Sequence, residues 1–191
     1  MDDRRDWRPV LLAVTVGCEI AFWILLTLGL ALRYLARRPR LGAAVLVCVP
    51  LVDLLLFGVS VLYLRSGGTP DATTGLAAAY IGVSVAFGPS IIQRMDARFA
   101  YRYGEGPPPA KPPKYGAERA RYEWSELRKA ALAFVVASLL LLGGVALVGG
   151  FDRGQPLLAW IYKLALVLLI WLVVAASYTL WPAKPKERVR H

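Results

Sequence analysis

Five long apolar runs dominate this chain, and they leave it few folds to choose from. They are Pro9 to Leu32, Leu41 to Leu64, Gly75 to Ile92, Ala130 to Gly150 and Pro156 to Trp181. A helix needs roughly 20 residues to cross about 30 Å of hydrocarbon, and each run suffices, the third at the short end. Hydrocarbon offers no partner to a backbone N–H or C=O, so such stretches satisfy their backbone internally, as helices. The expected fold is all-α: a polytopic bundle of five transmembrane helices over 9–32, 41–64, 75–92, 130–150 and 156–181. Residues 93–129 then form an amphipathic, Pro-rich connector within a single membrane domain of 1–191. A mean hydropathy of +0.50 and 57% hydrophobic residues exceed what a soluble domain of this size carries.

The charges between the runs set an orientation. Arg33, Arg37, Arg38 and Arg40 fill the first loop, nine basic residues lie between Gln93 and Lys129, and Lys184, Lys186, Arg188 and Arg190 end the tail. These three segments share one side and hold 17 of the 23 Lys and Arg. The other side holds Arg4, Arg5, Arg8, Arg65 and Arg153, while Lys163 falls inside a run. The positive-inside rule therefore predicts an external amino terminus and a cytoplasmic carboxyl terminus. Exporting Arg4, Arg5 and Arg8 runs against the rule, but the two later basic segments outweigh them. The net charge of +10 is explained by basic flanks beside anionic headgroups, each residue contributing about 1 kcal/mol. No nucleic-acid-binding module can be built from what lies outside the runs.

The connector has its own pattern. Ile92, Met95 and Phe99 recur at helical spacing, with Arg94, Arg98 and Arg102 as a basic stripe, so Gln93–Tyr103 is expected to prolong the third helix. Gly104-Glu105-Gly106 ends it, and Pro107–Pro113 forms a polyproline II spacer of roughly 20 Å. Glu118–Lys129 then reads as an amphipathic helix with Ala120, Trp124, Leu127 and Ala131 on one side. It either rests on lipid headgroups or joins two helical hairpins as a solvated connector. A Pro-rich segment is also a recruitment site for a partner protein.

The candidate chemistry lies inside the membrane. Glu19 and Asp53 sit near the middle of the first and second runs, where an ionised carboxylate costs roughly 2.5–3.5 kcal/mol or more. Each is therefore expected to face the bundle, protonate or find a cation. The two then serve as a hydrogen-bonded polar clamp that fixes helix register with at least one carboxyl neutral, as a proton or cation path, or as a lipid-modifying site. Thr15, Glu19, Trp23 and Thr27 share one stripe, read as the inward face of the first helix; Pro50, Asp53, Phe57 and Ser60 do the same on the second. Pro50 frees the carbonyl of Leu46 beside Asp53. Lys163 is the available cation: it pairs with Glu19 or snorkels outward. Tyr80 and Ser84 on the third helix are candidate hydrogen-bond donors to these carboxylates. Ala78, Gly82 and Ala86 form a small-residue ridge, and Ala133 and Ala137 a packing seam. Trp160, Tyr162, Tyr178 and Trp181 are placed as interfacial anchors.

Other chemistry is excluded by composition. His191 is the one histidine, which removes paired-His haem ligation, His-based zinc sites and Ser-His-Asp triads. Cys18 and Cys48 both fall within runs, where a structural disulfide is not expected. Apolar sequence continues past Cys18, which argues against lipoprotein cleavage there. There is no Gly-rich phosphate loop. No cofactor and no metal are implied.

Gly17-Cys18-Glu19-Ile20-Ala21-Phe22-Trp23, Pro50-Leu51-Val52-Asp53-Leu54, Gly75-Leu76-Ala77-Ala78-Ala79-Tyr80, Ser84-Val85-Ala86-Phe87-Gly88 and the stretch from Gly106 to Tyr115-Gly116 carry a resemblance. Across roughly 15–130 the chain resembles the uncharacterised bacterial membrane proteins called YmcC-like. The resemblance implies a topology and no activity, and it places Glu19 and Asp53 within recurring motifs. It also implies a polar or basic residue where this chain has Pro89, a departure that weakens any role for that position. The resulting expectation is a multi-pass protein of the bacterial inner membrane, non-enzymatic, serving as a structural, regulatory or complex-forming component. Its basic face meets lipid, a protein partner or a second copy. The alternative is a small transporter or channel that relays protons or cations through Glu19, Asp53 and Lys163.

Overall fold

The computed structural model describes residues 7–67, 72–103, 107–113 and 115–181. Five helices account for nearly all of them: α1 (Trp7–Leu30), α2 (Pro39–Arg65), α3 (Ala72–Tyr103), α4 (Gly116–Val148) and α5 (Phe151–Leu180). All five are long and apolar enough to cross a membrane. The basic tail from Lys184 to Arg190, Arg4 and Arg5, Lys114, the Gly104–Gly106 breaker and His191 lie outside the described residues.

Local chemistry sets the ends. α1 widens into a π-helical turn, Ala31–Leu35, before the chain reverses and Pro39 opens α2 at a position where a missing N–H costs nothing. Gly149 and Gly150 have φ of 106° and 111°, a conformation that penalises a Cβ, and they form the whole turn between α4 and α5. That turn starts α5 at Phe151, so Asp152 and Arg153 belong to its first turn and not to a loop. Pro50 and Pro89 sit inside continuous helices.

The helices pack antiparallel in sequence. α2, α3 and α4 form the centre, α1 lies against α2, and α5 lies against α4 with a minor contact to α3. The small-residue ridge of α3 meets the seam of α4: a Cβ on Gly82 would collide with the Ala133 carbonyl oxygen and reach within 3.2 Å of the Ala137 methyl. Absent side chains let these two backbones approach. The buried core joins Phe57 and Val61 of α2, Ala78 and Ile81 of α3, Leu141 and Val145 of α4, and Leu157 of α5. Among the described residues α1 adds nothing to this core. Only 6% of the apolar window is buried in α1 and in α5, against 28% in α2 and 33% in α3 and α4. α1 and α5 are the edge helices.

This arrangement corrects the face assigned to α1. Glu19, Trp23 and Thr27 do share a stripe, but all three are exposed, Trp23 at 65%. Periodicity tells which residues share a face; it does not tell which neighbour that face meets. On α2 the corresponding stripe does turn inward, with Asp53 and Phe57 buried.

Candidate functional site

Two polar regions stand out, at different depths. At one end of the bundle, where most of the described arginines collect, the helices continue past their apolar runs and are laced by ion pairs. Arg33, in the π-helical turn, donates from Nε to Asp96 Oδ1 at 2.8 Å and from Nη2 to Asp96 Oδ2, a two-pronged guanidinium–carboxylate pair. The Tyr34 hydroxyl donates to the same Asp96 Oδ1 at 3.0 Å, and the Tyr34 ring packs on Phe99. Arg94 donates to Glu126 at 2.8 Å and to the Tyr122 hydroxyl at 3.1 Å, while Lys129 donates to Glu126 at 3.0 Å. Arg119 pairs with the buried Glu123 and lies over the rings of Tyr122 and Tyr178. The Trp124 indole donates to Thr179 at 2.9 Å, tying α4 to the end of α5.

These contacts refine two expectations. Arg33 is enclosed and engaged by Asp96, and Arg94 pairs with Glu126 while staying exposed, as Arg37, Arg38, Arg40, Arg98 and Arg102 are. The helix after Pro113 is an extension of α4 packed on its neighbours, with Glu123, Glu126 and Leu127 buried. Sequence reasoning passed over Asp96, Glu123 and Glu126. The signal was present in the spacing: Arg119–Glu123 is an i,i+4 pair and Glu126–Lys129 an i,i+3 pair.

The second region is a cleft of about 510 Å³ between the outer surfaces of α1, α2 and α3. Its walls are mostly apolar: Phe22 and Trp23 of α1, Val52 and Leu56 of α2, Leu76 and Ala77 of α3. Into it come Cys18, Glu19, Asp53 and Tyr80. Asp53 is 6% exposed, and its Oδ2 is buried without a hydrogen-bond partner. Glu19 stands at the mouth, exposed on the flank of an edge helix. Tyr80 is exposed along the same opening. Neither Tyr80 nor Ser84 hydrogen-bonds to a carboxylate among the described residues, and Ser84 lies outside the cleft lining.

Lys163 does not complete this site within the chain. It is exposed on α5, with Nζ 4.6 Å from the centre of the Trp160 ring, and makes no ion pair among the described residues. Of its two expected arrangements, pairing with Glu19 is not formed within the chain among the described residues, and the ammonium makes a cation–π contact with a ring one helical turn away. Trp160 itself is half-buried, because Gly75 leaves its indole room against α3. Tyr162 and Trp181 are highly exposed. The described residues hold no cluster of three or more potential metal ligands.

Five membrane-length helices with a carboxylate enclosed among them define a multi-pass helical membrane protein. The chain is 34% identical over 172 residues to the "Uncharacterized membrane protein YmcC" of Bacillus subtilis (strain 168), spanning 90% of this chain and 92% of that protein. It belongs to the YmcC-like family of membrane proteins. The similarity extends well beyond residues 15–130, where the quoted motifs lie. No family model matches the chain, and no solved structure matches it.

Proposed function

We propose that this protein is a complex-forming component of the bacterial inner membrane, and that its cleft is the recognition surface. The carrying observation is Asp53, enclosed in the apolar cleft with an unpartnered oxygen while Glu19 stands exposed at the mouth. Lipid chains satisfy neither carboxylate, so the surface is incomplete as long as lipid covers it. A membrane-embedded partner carrying a cation or hydrogen-bond donor at that depth completes it. The amino terminus lies outside and the arginine-rich end lies in the cytoplasm, a reading supported by the distribution of basic residues. Arg37, Arg38, Arg40, Arg98 and Arg102 meet anionic headgroups there.

Native mass spectrometry of the protein released in membrane nanodiscs tests this. Wild type is expected as an assembly heavier than the 20.9 kDa chain, and Glu19→Gln with Asp53→Asn is expected to reduce it to the single chain. An unchanged mass distribution in the folded double variant overturns the reading.

A second reading draws on the same two carboxylates: a proton or cation relay. It requires flux into proteoliposomes under an imposed potential, lost in the same variants. The apolar walls of the cleft favour the first reading, since an ion path needs polar lining along its length.

A further inference from the structure

Lys163 and Glu19 are opposite charges stranded on the two edge helices. Their depths can be compared using α3 as a ruler. Gly75 of α3 meets Trp160 of α5, and further along Phe87 stacks on Trp171 at 5.8 Å, so α3 and α5 run in the same direction and in register. Lys163 follows Trp160 by one turn and is therefore level with the residues one turn past Gly75. Glu19 opens into the cleft beside Leu76, Ala77 and Tyr80, the same stretch of α3. The acid and the base lie at one depth.

We infer that copies of this chain associate side by side, α1 of one against α5 of the next, with Glu19 of one copy paired to Lys163 of its neighbour. This rests on the cleft being a recognition surface and names its occupant as a second copy. Copies inserted in one orientation are related by rotation about, or translation across, the membrane normal, operations that preserve depth. An acid and a base on opposite edges meet under those operations only when their depths agree, and here they do. α1 and α5 run in the same direction, so the contact is a parallel helix pair. Val16, Ile20 and Ile24 of α1 and Leu166, Ile170 and Val173 of α5 are the exposed apolar residues that flank it. Each copy offers both halves of the contact, so the interface is head-to-tail and builds a closed ring or an open row. Lys163 leaves the Trp160 ring for a carboxylate that otherwise faces lipid, and the pair is shielded by the exposed indole of Trp23.

Charge reversal tests this with the full chain in nanodiscs, read by native mass spectrometry. Glu19→Lys alone and Lys163→Glu alone are each expected to yield single chains, because each brings like charges together. Combining both reversals in one chain is expected to restore the wild-type assembly. Mixing the two singly reversed chains is expected to give alternating assemblies that neither forms alone, which also shows that each folds. Single chains from wild type, or no rescue in the doubly reversed chain, overturn the proposal. An assembly that depends on Glu19 and Asp53, contains a different protein and ignores Lys163 overturns this inference while leaving the cleft as a recognition surface. Glu19→Gln and Lys163→Met, which only neutralise, are expected to weaken assembly at least tenfold in concentration without altering the helical signal.

Discussion

The arginine-rich end and the apolar cleft both hold carboxylates among their helices, buried at Glu123, Glu126 and Asp53 and partly exposed at Asp96, and they treat them in opposite ways. Asp96, Glu123 and Glu126 each sit against a guanidinium, and Glu126 also holds an ammonium. Among the described residues Asp53 meets no cation, and its Oδ2 has no hydrogen-bond partner. The first group is held among arginines and a lysine; the second lies in a cleft whose walls are mostly apolar, beside Cys18, Glu19 and Tyr80. A carboxylate matched within its own chain is explained by the stability of that chain. One left unmatched at a costly depth points outside the chain for its explanation.

Removing carboxylates one region at a time is the direct way to break this contrast. The largest effect is expected for Asp96→Ala, which strands Arg33, whose side chain is only 12% exposed. Loss of its two-pronged partner should lower stability in detergent by about 3 kcal/mol, read from chemical unfolding. A loss below about 0.5 kcal/mol would place Asp96 among the exposed pairs that contribute little. The cleft should respond with the opposite sign. Asp53→Leu replaces an unpartnered carboxylate by an apolar side chain of similar size and is expected to raise the stability of the isolated chain by about 1–2 kcal/mol. Assembly should be lost at the same time. A destabilised Asp53→Leu chain would make Asp53 a structural clamp like its counterparts at the other end. The smallest effect is expected for Glu126→Gln, since Arg94 is 54% exposed and Lys129 is partly exposed. The hydrogen bonds survive with less charge, and the cost should stay at about 1 kcal/mol. Comparing this value in low and high salt sharpens the point, because only the exposed part of the network is screened.

The sequence read the membrane-spanning class well because hydrophobic length is a local property. The runs needed no tertiary information to be recognised, and the ridge at Ala78, Gly82 and Ala86 was legible as a close-packing surface for the same reason. Boundaries were less accessible. α1 runs into a π-helical turn that carries Arg33 toward Asp96, and α5 begins at Phe151 because two left-handed glycines close the turn. Glu19 shows the limit most clearly. Its stripe with Trp23 and Thr27 was correct as a face, yet a helix at the edge of a bundle presents its polar stripe outward as easily as inward.

By itself, then, the chain order determined five helices of membrane-spanning length and the presence of two carboxylates and one amine within their apolar runs. Those follow from spacing along one dimension. Tertiary structure alone decided that Asp53 is enclosed, that Glu19 stands at a cleft mouth, that Lys163 rests on Trp160, and that Asp96 answers Arg33 across 63 positions of sequence. Whether a charge is matched depends on which helix lies beside it, and neighbours in a bundle are chosen by side-chain shape, which no single helix's periodicity contains.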